Sequence, residues 1–130
     1  MQVLCGVLAM LLVAFAVVQY NDADGAFWAI GYSVGAFWCA MAAFARKRLS
    51  RKLMRISLVA TFAGVVLGVV AFWPDAERWW AIDVWWPEVS GETSREGMGM
   101  MVLALATAVA AFVGWRRGRS VQGENLSERM

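Results

Sequence analysis

The sequence predicts an all-α integral membrane protein: a bundle of four membrane-spanning helices, both termini cytoplasmic, with a short Trp-rich interfacial segment between helices 3 and 4. Three observations carry this prediction. Hydrophobic residues make up 61% of the 130 and charged residues 17%, where soluble domains run nearer ~45–50% and ~25%. A chain this short cannot hide so much apolar surface inside itself, so part of its solvent is lipid. Apolar runs suited to helices occupy about residues 2–20, 26–45, 53–73 and 97–115, and ~20 residues at ~1.5 Å rise cover the ~30 Å hydrocarbon layer. The segments between and after the runs, with Arg55 at the start of the third run and Glu96 just before the fourth counted in the segments they adjoin, carry −2, +6, −4 and +2 in order, which accounts for the net charge of +2. That alternation gives an even topology.

The first run is uncharged from Val3 to Val18. Ala14-Phe15-Ala16 has the small-x-small form of a signal cleavage site, but no Lys or Arg precedes the apolar core, so the segment is kept as a span. The polar loop that follows holds Asn21, Asp22, Asp24 and Gly25, residues that favour turns and caps. Asp24 is placed to N-cap the second helix, where a carboxylate also meets the positive end of the helix dipole.

The second helix carries Gly31-x-x-x-Gly35, and the third carries Gly64-x-x-x-Gly68. Such spacing lets backbones approach closely, so these two helices are expected to pack against each other or against a partner chain. Trp28 and Tyr32 lie one turn apart near the polar end of the second helix, as interfacial-belt aromatics do.

Between the second and third runs, residues 46–55 hold Arg46, Lys47, Arg48, Arg51, Lys52 and Arg55 without an acid. Close between two spans, this is a cytoplasmic positive-inside signal rather than a nucleic-acid site, and contact with anionic lipid heads accompanies it. The longest connection, residues 74–95, contains Trp79, Trp80, Trp85 and Trp86 and is acidic. Paired Trp beside acids suit a segment in the headgroup layer. Thr93-x-x-Glu96 fits a capping box at the start of the last helix. Arg116, Arg117 and Arg119 follow that helix, and residues 116–130 read as a polar cytoplasmic tail without periodicity.

With no His and two Cys (Cys5 and Cys39), both inside apolar runs, the chain offers no Cys/His metal spacing and lacks the commonest general base. Buried packing is the ordinary role of such thiols. No Asp, Glu, Lys or Arg interrupts the apolar cores, which argues against a conduction path. No cofactor is implied.

The even topology turns the first and third loops outward. It brings Asn21, Asp22, Asp24, Glu92, Arg95 and Glu96 toward one candidate outer polar cluster, with Trp28, Tyr32, Trp85 and Trp86 as aromatic neighbours. Mutual pairing and capping is one reading of the cluster. A pocket for a small ligand or lipid headgroup is another, and an oxygen-only site for Ca²⁺ or Mg²⁺ a third. An EF-hand does not fit, because Tyr20 and Gly31 stand where its first acid and last Glu belong.

The run Gln19-Tyr20-Asn21-Asp22-Ala23-Asp24, then Trp28 and Tyr32, then Glu92-x-x-Arg95-Glu96-x-x-x-Met100, resembles the transmembrane protein 220-like family. The resemblance covers most of the chain, and its specific motifs are the two polar clusters. It implies a helical multi-span membrane protein without an assigned activity, and supplies no catalytic residue. The family's usual run is closer to QxNDPD, so Ala23 departs where Pro would stiffen the loop.

The expected function is non-enzymatic: an accessory or scaffold subunit of a bacterial-type inner (plasma) membrane, acting through a membrane-protein partner or as a homo-oligomer. The alternative is ligand, headgroup or divalent-cation binding at the outer cluster. A third possibility is lipid handling by the Trp-rich loop.

Overall fold

A computed structural model describes residues 1–21, 24–71, 73 and 92–127. All their regular structure is helical: α1 (Gln2–Val18), a 3₁₀ turn (Gln19–Asn21), α2 (Gly25–Phe44), α3 (Arg46–Leu49), α4 (Lys52–Ala71) and α5 (Glu92–Ser127). Within these, α2, α4 and residues Glu96–Arg116 of α5 are long and apolar enough to cross a membrane. α1 is apolar but shorter, with 17 residues.

α1, α2 and α5 form the interior. α1 buries Cys5, Ala9 and Leu12, which recur at helical spacing on one face. Leu12 lies against Gly35 of α2, and the Phe15 ring meets Tyr32 edge-on at 5.6 Å, so the two helices run antiparallel. α5 runs parallel to α2: Tyr32 sits at Gly99, and the Cys39 thiol donates to the Ala106 carbonyl at 3.5 Å. Both cysteines are free and fully buried, in keeping with a packing role.

α4 is peripheral. It lies antiparallel to α5, with Gly68 at Met100 and Leu58 near Gly114. Only 6% of its span is buried, against 44% for α2 and 50% for α5.

These directions place the Gln19–Asp24 connection, the end of α4 and the start of α5 at one end of the bundle. α3, the start of α4 and Arg116 share the other. Gln19–Asn21, Asp24 and the first residues of α5 therefore share one end, and the basic residues of α3 and the start of α4 lie at the opposite one.

The Gly motifs do not join α2 to α4. Gly31 and Gly35 both receive Leu103 of α5, and Gly35 also receives Leu12. Gly68 receives Met100, whose sulfur would lie 3.0 Å from an added Cβ. Nothing lies within 4 Å of such a Cβ at Gly64. The physical reason is the position of α5, which meets both helices and fills the clefts their glycines open. α2 and α4 are linked by longer side chains: Trp38 Nε1 donates to Thr61 Oγ1 at 3.2 Å, and that hydroxyl donates to the Ser57 carbonyl at 2.9 Å. Between helices in lipid, such close packing and hydrogen bonding replace the hydrophobic drive available in water.

The basic connection is built rather than slack. Arg46 Nε donates to the Ala42 carbonyl at 3.1 Å, meeting one of the open carbonyls at the end of α2 with a cation at the negative end of its dipole. Leu49, 1% exposed, is seated beside Gly114 of α5. Ser50 Oγ donates to the Lys47 carbonyl at 2.8 Å.

Two boundaries differ from the sequence reading. α5 starts at Glu92, so Thr93 lies inside the helix and cannot be its N-cap. The same helix continues to Ser127 through residues read as an irregular tail. The segment after Arg116 contains no Pro, and a formed helix extends by one hydrogen bond per added residue. The cost of Gly118 and Gly123, about 1 kcal/mol each, does not stop it. The Trp-rich interfacial segment, with Trp79, Trp80, Trp85 and Trp86, lies outside the described residues.

Candidate functional site

At the acidic end, the turn Gln19–Asn21 hands the chain to α2, and Asp24 takes the N-cap position. Its carbonyl accepts from the amides of Phe27 at 2.9 Å and Trp28 at 3.4 Å. The carboxylate does not cap the helix amides as expected. Instead Oδ2 accepts from Trp28 Nε1 at 2.6 Å. The Phe27 and Trp28 amides are taken by the Asp24 carbonyl, which leaves the carboxylate to a short charge-assisted bond from the indole N–H of a buried ring. The carboxylate still sits at the positive end of the α2 dipole.

Trp28 and Tyr32 each have 5% of their surface exposed. They face the bundle interior, which corrects the expectation of a lipid-facing belt. Their rings lie 6.0 Å apart at 31°, Phe27 meets Trp28 edge-on at 5.6 Å, and Phe15 closes the other side of Tyr32. The spacing of four residues explains the stack, because it places both rings on one face of α2. That face is the one turned toward α1 and α5.

The start of α5 packs onto this stack. Gly97 and Met98 are buried and Glu96 is half-buried. At Gly99 an added Cβ would run into the Tyr32 hydroxyl and would lie 3.5 Å from Trp28. A side chain there would push α5 away from α2, so a glycine is needed for the close approach.

The structure thus brings Asp24, Trp28 and Tyr32 together with the Glu96–Met100 turn of α5. Asp22, Trp85 and Trp86 lie outside the described residues. Asn21, Glu92 and Arg95 are placed only as members of their helices at this same end. Among the described residues, no group of three or more His, Cys, Asp or Glu is arranged to hold a metal ion. Sequence reasoning did not single out Phe15 or Gly99. The signal for Gly99 was its place one helical turn after Glu96, about two turns into α5.

A family model described as transmembrane family 220, helix, matches residues 11–112. The chain belongs to transmembrane family 220. The match runs through the C-terminal half of α1, all of α2 and α4, and α5 as far as Phe112, so both polar clusters fall within it. No curated protein and no solved structure matches the chain. Membership of transmembrane family 220 and three helices apolar and long enough to span a bilayer make this a membrane protein.

Proposed function

We propose that this chain is a four-span, non-enzymatic subunit of a bacterial-type inner (plasma) membrane, with both termini cytoplasmic, that acts as an accessory or scaffold through a membrane-protein partner or another copy of itself. The observation that carries this reading is the packing of α4. Ser57, Ala60, Gly64 and Ala71 are small, exposed and grouped on one flank of that helix, and Gly64 meets nothing within 4 Å. Such a surface admits a further helix at close range. The antiparallel course of the helices and the gathering of cations at one end support the orientation.

The test is native mass spectrometry of the protein gently extracted from its own membrane, beside the Gly64→Ile variant. A stoichiometric assembly that Gly64→Ile disperses, with the monomer still folded, is the expected result. Wild-type protein recovered only as a bare monomer would sink the proposal.

A second reading gives the acidic end a ligand, either a small polar molecule, a lipid head or a divalent cation. Its support is the convergence of the Asp24 carboxylate, the buried Trp28 and Tyr32 rings, and the start of α5 carrying Glu96. Asp22→Asn and Glu96→Gln should then remove a bound adduct from the native mass while the protein stays folded. Variants that merely unfold would assign the cluster to structure.

A further inference from the structure

We propose that the basic end carries a specific site for one anionic diacyl phospholipid, whose phosphate sits at Arg55 and whose two chains lie on either side of Val59. This goes beyond the partner and outer-cluster readings. It centres on the Arg55 and Val59 face of α4, shares Ala60 alone with the Gly64 flank, and requires neither reading.

Two grooves meet at these residues. One, of about 290 Å³, lies between α4 and α5, with Leu58, Ala111, Phe112, Gly114 and Trp115 as its apolar lining. The other, of about 690 Å³, runs along the outer face of α4 through Ile56, Ala60 and Ala63, with Ser50 and Lys52 at its head. Arg55 and Val59 line both.

The helical repeat accounts for this arrangement. Lys52, Arg55, Ile56, Val59, Ala60 and Ala63 recur three and four apart and so share one face. On that face the polar groups come first, and the small Ala60 and Ala63 leave a depression further into the span. A charged head above two apolar troughs is the complement of a two-chain amphiphile.

The sign of the head follows from the charges. Lys47, Arg48, Arg51, Lys52 and Arg55 have no acid among residues 46–55, and none of them is in an ion pair among the described residues. The first amides of α4 add the positive end of its dipole. Arg46 is held by the Ala42 carbonyl, and the Arg116 guanidinium lies over the Phe112 ring at 5.7 Å, at the rim of the smaller groove. A phosphate oxygen at Arg55 would gain the forked, charge-assisted contacts that guanidinium makes with phosphate. Long basic side chains at the end of a span reach this level by laying their stems along the apolar surface. A lipid therefore fits better than a free anion, because the troughs beneath Arg55 are apolar.

The test uses the full chain in mild detergent, titrated with dioleoyl phosphatidylglycerol or dioleoyl phosphatidylcholine, with retained lipid counted by native mass spectrometry. One phosphatidylglycerol per chain is the expected stoichiometry. Arg55→Gln should weaken its retention by about fivefold or more, since a basic residue at an anionic surface contributes ~1 kcal/mol. Arg48→Gln, which removes an equal charge away from the grooves, should leave retention unchanged. Ala63→Phe fills the larger groove at an exposed position without altering charge, and should also lower retention.

Four results would overturn the proposal: equal retention of the two lipids, equal losses in Arg48→Gln and Arg55→Gln, full retention by Ala63→Phe, or competition by inorganic phosphate at lipid-like concentration. A two-chain mass that Ala63→Phe abolishes would assign the groove to a second copy and overturn it too.

Discussion

Gly35 and Gly64 offer a matched comparison, because both are helical glycines of the same motif type with opposite surroundings. At Gly35 an added methyl would run into the end of Leu103 and lie 3.0 Å from that of Leu12. Leu103 is 4% exposed and Leu12 fully buried, so neither side chain has free space to move into. Overpacking of this kind costs about 1–3 kcal/mol. Replacing Gly by Ala within a helix returns at most ~1 kcal/mol of propensity. Gly35→Ala is therefore expected to destabilise the monomer by roughly 0–2 kcal/mol, and Gly35→Val by more, through its added bulk. At Gly64 no overpacking arises, so Gly64→Ala should be neutral or stabilising by up to ~1 kcal/mol. The assay is unfolding of monomeric protein in mixed detergent micelles, followed by far-ultraviolet circular dichroism as denaturing detergent is added. Equal destabilisation by the two Ala variants, or a Gly35→Val protein as stable as wild type, would refute the assignment of these glycines to filled and open faces.

Other expected outcomes follow from the same contacts. Asp24→Ala removes the carboxylate acceptor of Trp28; a hydrogen bond to a charged group is worth about 1.5–3 kcal/mol, and the exposure of Asp24 lowers the expected loss to ~1 kcal/mol, with Asp24→Asn closer to wild type in the same unfolding assay. Trp38→Phe and Thr61→Val each break the link between α2 and α4 at about 0.5–1.5 kcal/mol, and the double variant should cost less than their sum; strict additivity would deny the bond. Leu49→Ala should cost ~2–5 kcal/mol, because a fully packed leucine is removed from the seat of the basic turn on α5; an unchanged unfolding midpoint would mean that the turn is not anchored there. Cys5 and Cys39, both 0% exposed, should resist a soluble maleimide until the protein is unfolded, and rapid labelling of the native protein would contradict their burial.

The distinction between legible and illegible features is physical. The helical class and the existence of the long apolar segments were legible because lipid constrains composition over some twenty residues at a time. The gathering of polar residues at one end and basic residues at the other was legible because charge avoids the hydrocarbon. Trp28 and Tyr32 could be placed at a polar end of α2 by position, but not on its inner face: a helix apolar all round carries no stripe to say which side is buried. Gly31, Gly35, Gly64 and Gly68 marked possible close approaches, yet their spacing does not name the partner. Only the tertiary arrangement decided that α5 serves three of them and leaves Gly64 open. It also decided that the Asp24 carboxylate turns to an indole rather than to a helix amide, and that α5 begins at Glu92. Composition and charge act along the chain and can be read from it. Which faces meet depends on side chains far apart in sequence competing for the same space, and that competition is resolved only in the folded bundle.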